Sequence, residues 1–381
     1  MRTLMIWILL AATPLGVHAR TWTVEKDGSG DFTIIQDAID AAADGDTVRV
    51  GPGRYDTFRA VTGVISGIEG RTIARVDKAI ALVGAGRDVT TIGPQEKVFE
   101  IDGLEASCLY LGGGGPALVT GFTFENTRGY VGVNQPVVLE DCRIDGANKT
   151  RADRYSVHIA GTSGVEIRNV EFLGAGGILT ANFGVGTVLV ENCTFWNDVP
   201  RYESRKSISW SATDLTVRNC TFEGTGVAIG NNFGGSAVIE DCVLSETIAG
   251  IVVDAGSVVA RNLTIGPSEQ NVRLNTGSAR LEIYDSELQG GSLWTIDVGG
   301  SIFARNCTIL NRSALTVRGP GHTGVTVDLR ENFWGTTDVE QVRAWIDNDL
   351  GVIQFEPILL GPVSAEPQSF GGLKSRFRSN D

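Results

Sequence analysis

The chain has 381 residues, is 42% hydrophobic and carries a formal charge of −13, with three histidines and six cysteines. No basic tract follows a nucleic-acid backbone and no internal stretch approaches 18 apolar residues, so nucleic-acid binding and a membrane span are both excluded as expectations. Forty-nine glycines set among dense β-branched residues point to many short strands and tight turns.

Arg2, the apolar run from Leu4 to Ala12 and the small-residue site Val17-His18-Ala19 together read as a signal peptide over residues 1–19. The mature chain then begins near Arg20, and its expected location is secreted or periplasmic. Only His158 and His322 remain after that cleavage, too few for a His-rich metal site, so no metal is expected. No cofactor is expected, with calcium left open although no motif indicates it.

The next element is a cap over residues 31–43. Thr33 and Gln36 have capping-box spacing, and Ile34, Ile35, Ala38, Ile39 and Ala42 form one apolar helix face. Gly45 and Asp46 then turn the chain into a strand over 48–50.

From residue 139 one pattern recurs: apolar, any, Asn or Asp, small apolar, any, apolar. Its Asn/Asp positions are 141, 169, 192, 219, 241, 262, 285 and 306, in steps of 28, 23, 27, 22, 21, 23 and 21. A period in the low twenties with strand alternation predicts a β-solenoid, here one long domain of about ten coils over residues 20–361. A sharp bend explains the Asn/Asp, since these residues tolerate the left-handed region. A second short strand recurs with an outward residue between two inward ones. The outward set includes His158, Leu179, Ser209, Ala228, Val252, Arg273, Thr295 and Thr316. Cys142, Cys193, Cys220, Cys242 and Cys307 all follow the Asn/Asp. Stacked side chains stand roughly 4.8 Å apart, more than the ~3.8 Å a disulfide prefers between Cβ atoms, so these are expected to be buried free thiols.

Two coils are longer than the rest, and both lengthen in the same turn. The insertion over 147–155 carries Arg151, Asp153, Arg154 and Tyr155; that over 197–206 carries Arg201, Tyr202, Glu203, Arg205 and Lys206. They are two coils apart, so they can meet over one groove. The C-terminal cap is expected over 332–358, with Thr337 and Glu340 as a capping box, followed by a polar, disordered tail over 362–381.

Specific resemblances support this architecture. DGSGDFTIIQDAID at 27–40, GDTV at 45–48, PGRY at 52–55 and ALVG at 81–84 resemble the opening of pectin methylesterases and related pectin-lyase-like β-helix proteins. ENFWGTT at 331–337 is similar to the closing motif of bacterial right-handed β-helix repeat proteins. The resemblance implies an all-β, right-handed, parallel β-helix with a helical cap at each end. The methylesterase motifs QAVA, QDTL, DFIFG and LGRPW are absent, as are the WIDH and RxPxxR patterns of pectate lyases, so no catalytic residue carries over.

The candidate site therefore rests on the two insertions. Arg forks and tyrosines suit an acidic sugar polymer, which assigns Arg151, Arg154, Tyr155, Arg201, Tyr202, Arg205 and Lys206 to binding. Candidate catalytic groups are Asp153 and Glu203 as an acid/base pair, or His158 and Lys206 as proton acceptors beside a uronate carboxylate. The expected function is binding, and possible lyase- or esterase-like modification, of an acidic polysaccharide by a monomer. The alternative is a non-catalytic structural or glycan-binding protein of the cell envelope.

Overall fold

The structure is a computed structural model and describes residues 19–61, 70–146, 156–174, 177–180, 185–197, 206–295, 300–310, 326–346 and 353–363. The chain winds into a parallel β-helix with three sheets. Sheet A has 14 strands, from Thr21–Val24 to Ile353–Gln354. Sheet B has 11, from Gly53–Tyr55 to Thr308–Leu310, and sheet C has 12, from Ala60–Val61 to Ser292–Thr295. Each sheet thus holds more strands than the ten coils expected. Strands of successive coils pair in parallel, for example Val137–Glu140 with Val165–Arg168. Among the described residues, antiparallel pairing occurs only near the first coils, at Ala60–Val61 and Glu100–Ile101.

The bend from sheet A to sheet B explains the Asn/Asp repeat. All eight positions have positive φ, between 51° and 56°, and Asn126 and Glu331 occupy the same conformation. The side chains also bond between coils: Asn169 donates to Asp141, Asn219 to Asn192, Asn262 to Asp241 and Asn306 to Asp285. The position after the bend has its own chemistry. Sγ of Cys220 accepts the backbone N–H of Cys193 at 3.4 Å, and Sγ of Cys242 accepts that of Cys220 at 3.4 Å. Ser286 Oγ does the same for Leu263 N–H at 3.0 Å, and Asn332 Oδ1 for Cys307 N–H at 2.8 Å. Where the rung holds Cys220, Cys242, Ser286 or Asn332, the side chain both packs and accepts one hydrogen bond, whereas Val170 and Leu263 at the same position only pack. All six cysteines are free and buried. Burial pushes the Cys142 and Cys307 thiols up to about 12 and the Cys193 and Cys220 thiols well above the usual range. They are packing groups, chemically quiet at neutral pH.

Inside, alternate residues fill one continuous apolar core. Phe172, Phe195 and Phe222 stack on three successive coils at 4.5 and 4.6 Å, nearly parallel.

The first helix, α1 (Ile35–Ala41), covers the open end of the core with Ile35, Ala38 and Ile39. The expected capping box is not formed, because Ile34 takes the N-cap position and makes no side-chain cap bond. Gln36 is used elsewhere: its Oε1 accepts Arg75 N–H at 2.7 Å and its Nε2 donates to Asp40 at 2.7 Å, which ties the helix to sheet C. Lys78 Nζ instead satisfies the far end of the helix, donating to the carbonyls of Ile39, Asp40 and Ala42. At the other end α2 (Val339–Trp345) starts at Asp338, not Thr337; the Asp338 carboxylate accepts Glu340 and Gln341 N–H. Aspartate is as good an N-cap as threonine and lies one residue closer to the helix.

Two of the expected outward positions on sheet C shift. Ile208 pairs with Ile229 and Ser209 with Gly230, so Gly230, not Ala228, takes the outward position. Arg273 pairs with Trp294 and Leu274 with Thr295, so Thr295 stands in register with the inward row. The strand Val227–Phe233 is seven residues long and the pairing of Ser268–Leu274 is irregular at Gln270. The first is a slip of two residues along the same face and the second a slip of one, and contact between coils sets both.

Candidate functional site

Both insertions leave sheet B and return to sheet C: one follows Arg143–Gly146 and precedes Val157–Ile159, the other follows Thr194–Trp196 and precedes Lys206–Ser211. Arg151, Asp153, Arg154, Tyr155, Arg201, Tyr202, Glu203 and Arg205 lie outside the described residues. His158 and Lys206 are described, on strands two coils apart in sheet C. His158 is half-buried, in register between Gly132 and Leu179 on the outward row. Arg128 ion-pairs with Glu105 at 3.3 Å, and Tyr130, on the coil before His158, is fully buried in the core.

Lys206 is the chemically distinctive residue. Its stem lies flat over Gly230, where a Cβ would come within 2.3 Å of Lys206 Cδ and 2.6 Å of Cε. Its Nζ donates to Asn231 O at 2.6 Å and reaches Asp254 Oδ2 at 3.4 Å. Asp254 is held in turn by Asn275, whose amide donates to Oδ1. Burial lowers the Lys206 pKa from the ordinary lysine value, Asp254 opposes that shift, and the nearby Arg273 adds to it. Val227, Ala249 and Val252 form a separate small buried cluster on the two coils that follow Lys206. The site is therefore a desolvated ammonium beside a second cation, on a floor of small and apolar residues.

Charge on the other two sheets is arranged differently. Along sheet A, Glu140, Arg168, Glu191, Arg218, Glu240 and Arg261 stand in register with alternating sign. Arg218 meets Glu191 at 2.6 Å and Arg168 meets Glu166 at 2.6 Å. On sheet B Arg143 lies 2.9 Å from Glu171, which Arg87 also contacts at 2.8 Å. Arg87, Arg143, Arg168 and Arg218 are thus paired with carboxylates, whereas Arg261 and Arg273 form no ion pair among the described residues.

Sequence reasoning placed Lys206 at the site but missed its partners. Asn231, Asp254 and Asn275 come from three later coils, 25, 48 and 69 residues away. The equivalent positions of Asp254 and Asn275, 21 residues apart after matching strands, were the one available signal.

The Gly230 cradle makes a test. Gly230→Val is expected to lift Lys206 off Asp254 and into solvent, at a cost of about 1–2 kcal/mol. A lysine side-chain NMR titration should then show the Lys206 pKa rising to the ordinary range. An unchanged titration would mean that the glycine does not seat the lysine.

The family model described as "Right handed beta helix region" matches residues 100–266. Comparison with curated protein sequences finds no match. Among solved structures, the chain is similar to the A-module of Azotobacter vinelandii mannuronan C-5 epimerase AlgE6 (14% identity, 77% of this chain and 92% of that one, TM-score 0.43). It is also similar to alginate lyase from Paenibacillus sp. str. FPU-7 (15%, 80% and 99%, TM-score 0.38) and to carrot pectin methylesterase (15%, 83% and 87%, TM-score 0.30). Among the described residues no helix is long and apolar enough to cross a membrane. With parallel pairing from coil to coil, three sheets and a positive-φ bend at the A-to-B corners, the chain folds as a right-handed parallel β-helix.

Proposed function

We infer that this is an exported protein that binds an acidic polysaccharide across the outer face of sheet C. The observation that carries the reading is the placement of Arg273 beside the Lys206 ammonium, with no carboxylate of its own among the described residues, in a chain of net charge −13. Arg151, Arg154, Tyr155, Arg201, Tyr202 and Arg205 would add to this face from the insertions that flank it. An Arg fork matches a carboxylate in two parallel hydrogen bonds. The site is read as binding rather than catalytic because Lys206 donates to a carbonyl and a carboxylate, which favours its protonated form over a free amine base.

Titration with polygalacturonate and alginate tests this. Binding is expected at low ionic strength and should weaken as salt rises, because the contacts are exposed charges. Arg273→Ala should weaken binding about 10- to 100-fold. Arg154→Ala with Arg205→Ala should abolish it while shifting stability by less than about 0.5 kcal/mol. Absence of binding by the wild-type chain at low salt would remove the acidic-polymer reading in favour of a structural role.

A further inference from the structure

The outer face of sheet B carries a different surface, independent of the acidic-polymer reading. Trp196 closes the strand Thr194–Trp196 and is 42% exposed. It is also rigidly presented. The preceding Phe195 is clamped between Phe172 and Phe222, with ring planes within 7° and 5° of parallel. Strand alternation therefore sends Trp196 outward. Its neighbours in register are Leu173 on the preceding coil and Glu223 on the following one. Thr194 and Thr221, two residues earlier on the same two strands, point to the same side and are partly exposed. Glu223 makes no ion pair among the described residues, although arginines elsewhere on this sheet each find a carboxylate.

We propose that Trp196, Glu223, Thr194 and Thr221 form a subsite for a neutral hexopyranose ring of a polysaccharide. An indole face presents a flat, electron-rich surface to the C–H groups of one face of a pyranose. The carboxylate roughly 4.8 Å away along the sheet accepts two vicinal sugar hydroxyls in charge-assisted hydrogen bonds. The threonine hydroxyls serve the ring edge. Charge decides the class of sugar. Glu223 stands one coil from Trp196 and Asp145 two coils away, on the same row, so a uronate ring here would bring like charges together. A neutral ring meets no such penalty. An indole held on a strand that the core already fixes loses little side-chain freedom on binding, which favours affinity.

The test uses the full mature chain in native affinity electrophoresis, in gels containing hydroxyethylcellulose, galactomannan or polygalacturonate. The wild-type chain is expected to be retarded by at least one of the two neutral polymers. Trp196→Ala should raise the dissociation constant for that polymer at least tenfold, Trp196→Phe should keep part of the affinity, and Glu223→Gln should weaken it about threefold. Arg273→Ala should leave retardation by the neutral polymer unchanged, which separates this subsite from the cationic face of sheet C. Circular dichroism should show all four variants folded, since none of these side chains is in the core. The subsite is overturned if neither neutral polymer retards the wild-type chain, if Trp196→Ala migrates as wild type, or if Trp196→Ala loses retardation only with polygalacturonate.

Discussion

Replacing Cys220 by Asp is expected to destabilise the solenoid by about 3 kcal/mol, while Cys220→Ser costs about 1 kcal/mol or less. Cys220 sits at 1% exposure between Cys193 and Cys242. Its sulfur accepts Cys193 N–H, and its own S–H points at Arg218 O, 3.2 Å away. A serine hydroxyl can make the same two bonds, as Ser286 does with Leu263 N–H and Tyr284 O. A carboxylate cannot. It would face two neighbouring sulfurs and the Arg218 carbonyl, all acceptors or weak donors, with no cation near. Urea unfolding midpoints of the three proteins check this. If Asp proved no worse than Ser, the rung would not be the dry, single-acceptor position described. The same ladder predicts the thiol count. In denaturant without reductant all six cysteines should react with a thiol reagent, and in the native state none should react quickly, because all six are buried from the reagent. Recovery of native disulfides would contradict the ladder.

The second large effect is expected at Asp328, near the end of sheet A. This carboxylate is nearly buried and accepts hydrogen bonds from Arg330 Nε at 2.9 Å and Nη2 at 2.7 Å, and from Arg305 Nη2. Arg330, with Arg305 beside it, holds the carboxyl far below the usual carboxylate range. A depressed folded-state pKa contributes stability above the unfolded value, about 3.9, and loses it as pH falls from there toward the folded value. Asp328→Asn should therefore cost about 2 kcal/mol at pH 7, where the charge-assisted bonds are complete. The gap between wild type and variant should shrink steadily from pH 5 to pH 2. Unfolding midpoints at pH 7 and pH 2.5 would show it; an equal gap at both would mean that the arginines do not select the ionised form. The position matters because the strand Thr326–Asp328 is the penultimate one of sheet A, and fraying there would expose the pairing edge that the closing segment covers.

Much of this protein was legible in one dimension because a solenoid repeats its physics locally. Each coil needs a residue that tolerates positive φ at the A-to-B corner, and the spacing of the Asn and Asp positions follows from that alone: Asp141, Asn169, Asn192, Asn219, Asp241, Asn262, Asp285 and Asn306 all bend as their residue types allow. The small residue behind each bend was readable for the same reason, and so was the state of its thiols, since the coil spacing exceeds what a disulfide spans. What the tertiary structure alone decided is where neighbouring coils touch. Gly230 rather than Ala228 stands opposite Ser209 because Ile208 pairs with Ile229, a register slip of two residues that leaves the alternation unchanged and that the isolated strand does not fix. Gln36 leaves its expected cap because the backbone of Arg75, 39 residues on, offers a better-buried bond. Lys206 reads in the sequence as the last cation of an insertion, yet it is drawn down by an aspartate 48 residues later in sequence that lies two coils away in space. Backbone preference is a property of a residue and its neighbours in sequence, so it is written locally. Desolvation and ion pairing depend on which coils stack, and only the assembled helix sets that.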